Sequence, residues 1–227
     1  MGDIASCTLE ELAQENQVNL TKKQNIYLKI KRILDFIGSL VALILLAPVF
    51  LIIAVLIKVA SPKETVILRQ KRIGQFGQPF WIYKFRSMKQ GTPELGTSEF
   101  KNPDKYITKV GKFIRKTSLY ELPQLFCCIV GTMSLCGPRP LLARENEIHF
   151  LRSYYGVYQV KPGITGLAQI NGRDKMDIYE KTRWDRTYVQ NVSLSLDVKI
   201  LLKTALKVLR REGFQDNSSD STSKLKN

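Results

Sequence analysis

The chain has 227 residues, 44% of them hydrophobic, and a formal charge of +15; that is room for one globular domain of ordinary size beside a further element. So basic a chain seeks polyanions: nucleic acid, anionic lipid or phosphorylated substrates. Its composition argues against two chemistries: the four cysteines show no CxxC spacing and His149 is the single histidine, too few ligands for zinc, and no Walker or dinucleotide-type glycine loop suggests ATP or NAD.

Residues 1–21 hold four acids and no Lys or Arg, so they read as a loosely held acidic extension. The first apolar block lies more than thirty residues in, which does not resemble a signal peptide. Residues 22–35 are basic with Ile26, Ile30, Ile33 and Leu34 at helical spacing, and this helix runs straight into residues 36–57, FIGSLVALILLAPVFLIIAVLI. That stretch has no charged side chain and as a helix would rise ~33 Å, enough to cross the hydrocarbon core of a bilayer. Pro48, near its middle, predicts a kink or break. Basic residues flank it on both sides (Lys29, Lys31 and Arg32; Lys58 and Lys63), and basic flanks stay on the cytoplasmic side. A hairpin that turns at Pro48 and leaves where it entered satisfies both. Asp35, at the entry, is expected to pair with Arg32 or Lys31, or to shape the hairpin. Beside such a segment, lipid phosphates become favoured partners over nucleic acid.

From residue 61 the pattern changes. Residues 66–68 and 79–85 are short runs of branched and aromatic residues around Gly74 and Gly77, which predicts a small β-hairpin. A Gly/Pro/Thr/Asn-rich loop over 90–104 follows, then helices over 105–119 and 120–129, with Pro123 in the first turn of the second. The prolines of GPRP stiffen a turn presenting Arg139. Vicinal Cys127 and Cys128 read as small core residues in a reducing compartment. Residues 145–155 can be helical, and 161–173 (KPGITGLAQINGR) is expected to be loop-like. The last helix, 195–211, carries Lys199, Lys203, Lys207 and Arg210 on one face, the pattern of an interfacial or a solvated amphipathic helix. A polar tail over 212–227 is expected to be disordered.

Three polar clusters stand out: Lys84, Arg86 and Ser87; residues 115–124 (RKTSLYELPQ); and Arg139 with Asn171 and Arg173. Arg offers a planar fork of donors to phosphate and Lys a compact charge. Four or five such groups about one site suit a diphosphate.

At these residues a resemblance emerges. KR–x2–D at Lys31, Arg32 and Asp35, QKRIGQFGQPFWIYKFRSM from Gln70, RKTSLYELPQL from Arg115, MSLCGPRPLL from Met133, KPGITGLAQINGR from Lys161 and WDRTYVQNVSLSLDVKIL from Trp184 resemble the bacterial sugar transferases of the monotopic phosphoglycosyl transferase family. The resemblance implies a mostly α, α/β fold: a re-entrant membrane helix broken at Pro48 over 22–60, a catalytic domain over 61–211 with a short β-hairpin, and amphipathic interfacial helices. It implies transfer of a sugar-1-phosphate from a nucleotide diphosphate sugar, expected to be a UDP-sugar, to undecaprenyl phosphate at the cytoplasmic face of a bacterial inner membrane. The expected partners are these two substrates and membrane lipids, with no nucleic acid; a homo-oligomer stays open. The pathway would be exopolysaccharide, capsule or lipopolysaccharide O-antigen assembly. Lys84, Arg86, Arg115 and Arg139 are assigned to phosphate, and Asn171, Arg173, Asp185 and Arg186 to the nucleotide or sugar side, each of the last four equally open to a structural role.

Two positions depart from the family's pattern. Ala47 stands before Pro48 where the family usually has Ser. Tyr120 precedes Glu121 where the family has Asp-Glu, the Asp resembling a covalent, Mg²⁺-assisted nucleophile. Glu121 is then expected to hold Mg²⁺ or a proton, and side chains about 100° apart on a helix keep it from taking over both roles. Three outcomes stay open: an impaired, membrane-bound binder or scaffold; Tyr120 as nucleophile, helped by Mg²⁺ and Arg115; or a single-residue variant of an active enzyme.

Overall fold

Thr21 and Gln24 start the first helix reciprocally: the Gln24 backbone N–H donates to Thr21 Oγ1 at 3.3 Å, and the Thr21 N–H donates to Gln24 Oε1 at 2.8 Å, a capping box. The computed structural model describes residues 17–89, 91–92, 105–172 and 176–210; the expected acidic extension over 1–16, most of the 90–104 loop, Arg173 and the polar tail from 211 lie outside them.

Helix α1 (Lys22–Ala60) is 39 residues long, ~58 Å at about 1.5 Å per residue. It corrects one expectation: the helix is not broken at Pro48, which lies inside one continuous α-helix. Proline removes one donor and crowds one carbonyl, and the fourteen residues on either side of it from Leu34 to Pro62 supply only one further proline, at the helix exit, so the i→i−4 ladder resumes on both sides. The buried positions are Lys31, Asp35 and Ser39 before Pro48, and Ile53 and Ile57 after it. From 35 to 53 is 18 residues, about five full turns at 3.6 residues each, so one face meets the globular body at both ends. The remaining faces stay open: the most apolar 18-residue window is 11% buried, and Leu40, Val41, Ile44, Leu45, Leu51 and Ile52 are exposed. A core helix would bury them.

β1 (Ile67–Ile73) and β2 (Pro79–Phe85) form the expected antiparallel hairpin, in register from Ile67↔Phe85 to Ile73↔Pro79. β1 is longer than anticipated because it continues through the basic run 69–72. α2 (Lys109–Lys116), capped by Thr108 Oγ1 accepting from the Gly111 N–H at 2.9 Å, leads into a 3₁₀ turn over Leu119–Glu121 and then α3 (Gln124–Val130). Gly131 ends α3 at φ +94, where an added Cβ would lie 2.8 Å from the Arg32 guanidinium; Arg32 uses that space to donate to the carbonyls of Cys128 and Ile129, both at 2.7 Å. α1 is thereby fastened to the orphan carbonyls of α3.

β3 (Ser134–Cys136) pairs in parallel with β4 (Gly163–Thr165). α4 (Asn146–Tyr154), α5 (Leu167–Asn171), α6 (Ile178–Gln190) and α7 (Leu194–Arg210) complete the body. The segment 161–173 is therefore not all loop: its described residues form β4 and α5. Its glycines serve close approach instead, since a Cβ on Gly163 would lie 2.1 Å from the Gly137 nitrogen. α6 falls where the sequence reading places no element. The described residues are mostly helical with two small sheets. Cys127, Cys128 and Cys136 are free and buried; burial pushes the Cys128 thiol up to about 12, the behaviour of core residues rather than nucleophiles.

A buried polar knot ties α1 to the body. Lys31 Nζ lies 2.6 Å from Asp197 Oδ2 and 3.4 Å from Asp35 Oδ1; of the two expected partners, Asp35 pairs with Lys31. Asp35 also accepts from Ser134 Oγ at 2.7 Å and the Leu135 N–H at 3.1 Å, while Tyr27 and Tyr188 donate to Asp197 at 2.5 and 2.9 Å. Removing one partner of such a network strands the rest without water. Asp197→Ala is expected to cost about 3–5 kcal/mol, a fall in Tm of roughly 10 °C for a chain of this size, readable by thermal unfolding in detergent. Asp197→Asn, which keeps an acceptor for the two phenols, should cost less.

Candidate active site

β2 places Lys84 opposite Leu68 of β1, and Arg72 pairs with Phe80. Opposed residues share a face and faces alternate along a strand, so Arg72 and Lys84 point to the same side of the hairpin. Above them sits the 119–121 turn. Ser118 enters it at φ 58, a left-handed conformation that costs a non-glycine residue about 1–2 kcal/mol and redirects the chain so that Tyr120 and Glu121 are both buried.

The Tyr120 ring belongs to the core cluster of Ile53, Ile57, Phe85 and Ile114. Its faces meet cations: Lys84 Nζ is 5.7 Å and Arg115 Cζ 5.5 Å from the ring centroid, distances at which a cation is attracted by the ring quadrupole. Its hydroxyl donates to Glu121 Oε1 at 2.7 Å, and both terminal nitrogens of Arg139 lie 3.3 Å from the same oxygen. The expected divergence of residues 120 and 121 does not hold, because the tight turn and the length of the tyrosine bring the two polar ends together.

Arg152, itself ion-paired with Asp185 at 2.5 Å, donates to the Arg139 carbonyl at 2.8 Å. The carboxyl of Asp185 is pushed above the usual carboxylate range by burial, opposed by Arg152. The loop bearing Arg139 is also held by His149 Nε2, 2.7 Å from the Leu142 carbonyl.

Of the expected site residues, Lys84, Arg115, Arg139, Tyr120 and Glu121 come together. Arg86 does not: β2 ends at Phe85, and Arg86 donates to the Thr65 carbonyl and hydroxyl and pairs with Glu64 at 3.3 Å. Asn171 donates to the Leu167 carbonyl of its own helix. Asp185 is the buried partner of Arg152, and Arg186 stands over the Tyr155 ring at 4.7 Å. The residue that sequence reasoning missed is Arg72, which bonds the Pro140 carbonyl at 3.4 Å and interacts with Arg139, Glu121 and Tyr120. Period-2 spacing through the QKR run was its signal.

Four basic side chains lie about Glu121, with Glu145 also acting on Arg72, and the crowding shifts two of them. Burial, reinforced by Arg139, Arg72 and Arg115 and opposed by Glu121, brings the Lys84 ammonium down to about 7; burial and Arg139 bring Arg72 down to about 10. Cations held at fixed positions in excess of the carboxylates beside them suit a polyanion. Glu121 is the carboxylate held among these cations: its Oε1 accepts from Tyr120 and Arg139. Among the described residues no group of three His, Cys, Asp or Glu is placed to hold a metal, so a Mg²⁺ bound at Glu121 would be completed by substrate phosphate and water.

Because Lys84 has a folded value below an ordinary lysine's, the folded state binds fewer protons between about 7 and 10.5, and stability rises with pH across that window. Binding runs the other way, since an anion needs the charged form. The affinity for a diphosphate diester, which does not titrate there, is expected to fall up to tenfold per pH unit as pH rises through 7, in equilibrium dialysis from pH 6 to 8.5. Lys84→Arg should flatten the curve; a flat curve in the unchanged chain would exclude Lys84 from the contact.

A strongly basic site thus lies in a body packed against an open apolar helix. The family model for bacterial sugar transferases matches residues 26–211, and the chain belongs to that family. It is 44% identical over 184 residues to "UDP-glucose:undecaprenyl-phosphate glucose-1-phosphate transferase" of Klebsiella pneumoniae, covering 78% of this chain and 39% of that protein. It is 40% identical over 212 residues to "Undecaprenyl-phosphate galactose phosphotransferase" of Salmonella typhimurium, covering 87% and 44%. The chain thus spans about two fifths of the length of these two relatives. It is 41% identical over 192 residues to "Uncharacterized sugar transferase EpsL" of Bacillus subtilis, covering 83% of this chain and 92% of that one.

Proposed function

We propose that the chain transfers a sugar-1-phosphate from a UDP-sugar to undecaprenyl phosphate at the cytoplasmic face of the membrane, as a step in exopolysaccharide or related glycan assembly. The observation that carries the reading is the Tyr120–Glu121–Arg139 unit: a hydroxyl 2.7 Å from an acid that a third residue orients, the arrangement of nucleophile, base and orienting group, set among cations suited to a diphosphate. Tyr120 Oη would bond to the sugar-bearing phosphorus, the phosphoanhydride bond to UMP would break, and Glu121 would take the phenol proton. The polyprenyl phosphate oxygen would then attack the same phosphorus, the bond to Tyr120 Oη would break, and Glu121 would return the proton. Lys84, Arg72, Arg115 and Arg139 supply the positive charge that both steps need.

The membrane part of the reading rests on packing. Lys31, Asp35 and Ser39 before Pro48 and Ile53 and Ile57 after it are buried, which supports a helix whose two ends stay on the side of the body while its apolar middle enters one leaflet. The exposed row Leu194, Val198, Leu201, Leu202, Leu206 and Leu209 of α7 supplies a second interfacial face, with Lys199 and Lys203 beside it. Cysteines introduced at 25 and 62 should be labelled from the same side of sealed vesicles; labelling from opposite sides would overturn the monotopic reading.

A second reading, retention of the substrates without turnover, is favoured by one observation: the Tyr120 hydroxyl is spent on Glu121. Radiolabelled UDP-sugar, membranes and polyprenyl phosphate separate the two. The proposal expects lipid-linked sugar diphosphate and UMP; their absence from the unchanged chain, with appearance after Tyr120→Asp, would leave the binding reading.

A further inference from the structure

The loop that carries Arg139 is held from outside. Pro138 and Pro140 bring no N–H, and each of the five successive carbonyls from 138 to 142 accepts from a donor elsewhere in the chain. The Gly163 N–H holds Pro138 at 2.9 Å, Arg152 Nη1 holds Arg139 at 2.8 Å and Arg72 Nη1 holds Pro140 at 3.4 Å. The Ile73 N–H holds Leu141 at 3.0 Å, and His149 Nε2 holds Leu142 at 2.7 Å. Two of these donors are strand backbone, Arg152 belongs to the buried pair with Asp185, and Arg72 belongs to the cationic site. His149 has no such second duty.

Its chemistry is set by its neighbours. A carbonyl only accepts, so Nε2 carries the proton, and in that neutral tautomer Nδ1 accepts from the Tyr158 hydroxyl. The two rings stack with centroids 6.0 Å apart. Burial raises the Tyr158 hydroxyl above a phenol's usual range, and Arg152 opposes it, so the chain of donors from Tyr158 through His149 to Leu142 begins beside the residue that grips the Arg139 carbonyl. The Leu142 carbonyl also accepts from the Glu145 N–H at 3.1 Å, and the Leu142 N–H donates to Glu145 Oε2 at 2.6 Å. His149 thereby closes the far end of the loop, three residues past Arg139.

We propose that His149 is a positioning residue for phosphosugar transfer, acting through the Leu142 carbonyl on the 138–142 loop to keep the Arg139 guanidinium on Glu121. The proposal rests on the transferase reading for the reaction it serves. Its leverage is geometric: both terminal nitrogens of Arg139 lie 3.3 Å from Glu121 Oε1, and a misplacement of about 1 Å can cost on the order of 10²-fold in rate.

The test compares the full chain in detergent with His149→Phe and His149→Gln. Phenylalanine keeps a ring against Tyr158 and removes both nitrogens, whereas the glutamine amide can still donate to the Leu142 carbonyl. With UDP-glucose and UDP-galactose tried as donors, His149→Phe is expected to lower kcat about tenfold or more and to leave the donor KM within threefold. Amide hydrogen exchange at 141–146 should speed up at least tenfold, while Tm changes by no more than ~3 °C, since the Arg152–Asp185 pair is untouched. His149→Gln should restore most of the rate and the protection. In an Arg139→Gln background, His149→Phe should cost less than a further twofold, because the guanidinium it acts through is gone. Equal losses in the Phe and Gln variants, a tenfold loss that persists without Arg139, or unchanged exchange at 141–146 would overturn the proposal. Exchange needs no turnover, so a chain in which His149 protects 141–146 but which yields no lipid-linked sugar supports the grip on the loop and sinks the transferase reading alone.

Discussion

Tyr120→Asp is expected to raise phosphosugar transfer by about 10²–10³-fold while lowering stability. A phenol has a reference pKa near 10, so about one in 10³ is ionised at pH 7, whereas a carboxylate is ionised throughout. The tyrosine must shed its proton to Glu121 during attack; aspartate has none to shed, and Lys84, Arg115 and Arg139 would hold its charge. The cost is packing: the Tyr120 ring fills space among Ile53, Ile57, Phe85 and Ile114, and truncating a buried aromatic costs about 3–5 kcal/mol. Rate and Tm should therefore move in opposite directions, which a gain through better folding would not produce. Tyr120→Phe keeps the ring and removes the hydroxyl, so stability should change little and transfer should vanish. Phenylalanine at wild-type rate would exclude Tyr120 as the attacking group.

The second large effect is expected at Arg139. Its guanidinium bonds Glu121 while its carbonyl is held by Arg152, so it orients the acid and faces the phosphate site at once. Arg139→Gln should lower transfer by about 10²–10³-fold, the usual scale for one preorganised donor at a developing oxyanion, with the loss mainly in kcat. Arg139→Lys should recover little, because a point charge cannot reproduce the planar fork. Arg152→Gln provides the control. It touches no proposed substrate atom, yet it frees the Arg139 carbonyl and strands Asp185, so both Tm and rate should fall together. An Arg139→Gln enzyme within threefold of the parent would remove Arg139 from the site.

The elements differ in how far the sequence alone reveals them. The hairpin shows as short runs of branched and aromatic residues around glycines, α1 as helical spacing leading into a charge-free apolar run, and α7 as basic residues recurring on one face, because each signal is local. α6 does not show, since Thr182, Asp185 and Tyr188 on its buried side are polar or amphipathic; Thr182 is satisfied within the helix by the Ile178 carbonyl, but Asp185 needs Arg152 and Tyr188 needs the Cys136 carbonyl and Asp197. The 161–173 segment looks like a loop because glycines are usually turn residues, whereas Gly163 and Gly166 are here demanded by close backbone contact with Gly137. Among site residues, Lys84, Arg115, Glu121 and Arg139 are visible as basic or acidic groups in stiff segments. Arg86 has the same appearance and goes elsewhere, because one residue past the strand end the side-chain direction is no longer fixed by the pleat.

What the sequence by itself determined is the apolar α1, its basic flanks, the hairpin, the ordered motifs and the substitution at residue 120. These follow from local composition and spacing, which a one-dimensional reading retains. Only the tertiary structure decided that Pro48 sits in an unbroken helix, that both ends of that helix return to one body, that Asp185 serves Arg152, and that the tyrosine hydroxyl closes onto Glu121 within reach of Arg139. The packing of α1, the Asp185–Arg152 pair and the approach of Arg139 to Glu121 depend on contacts between residues distant in sequence, and such contacts exist only once the chain has folded.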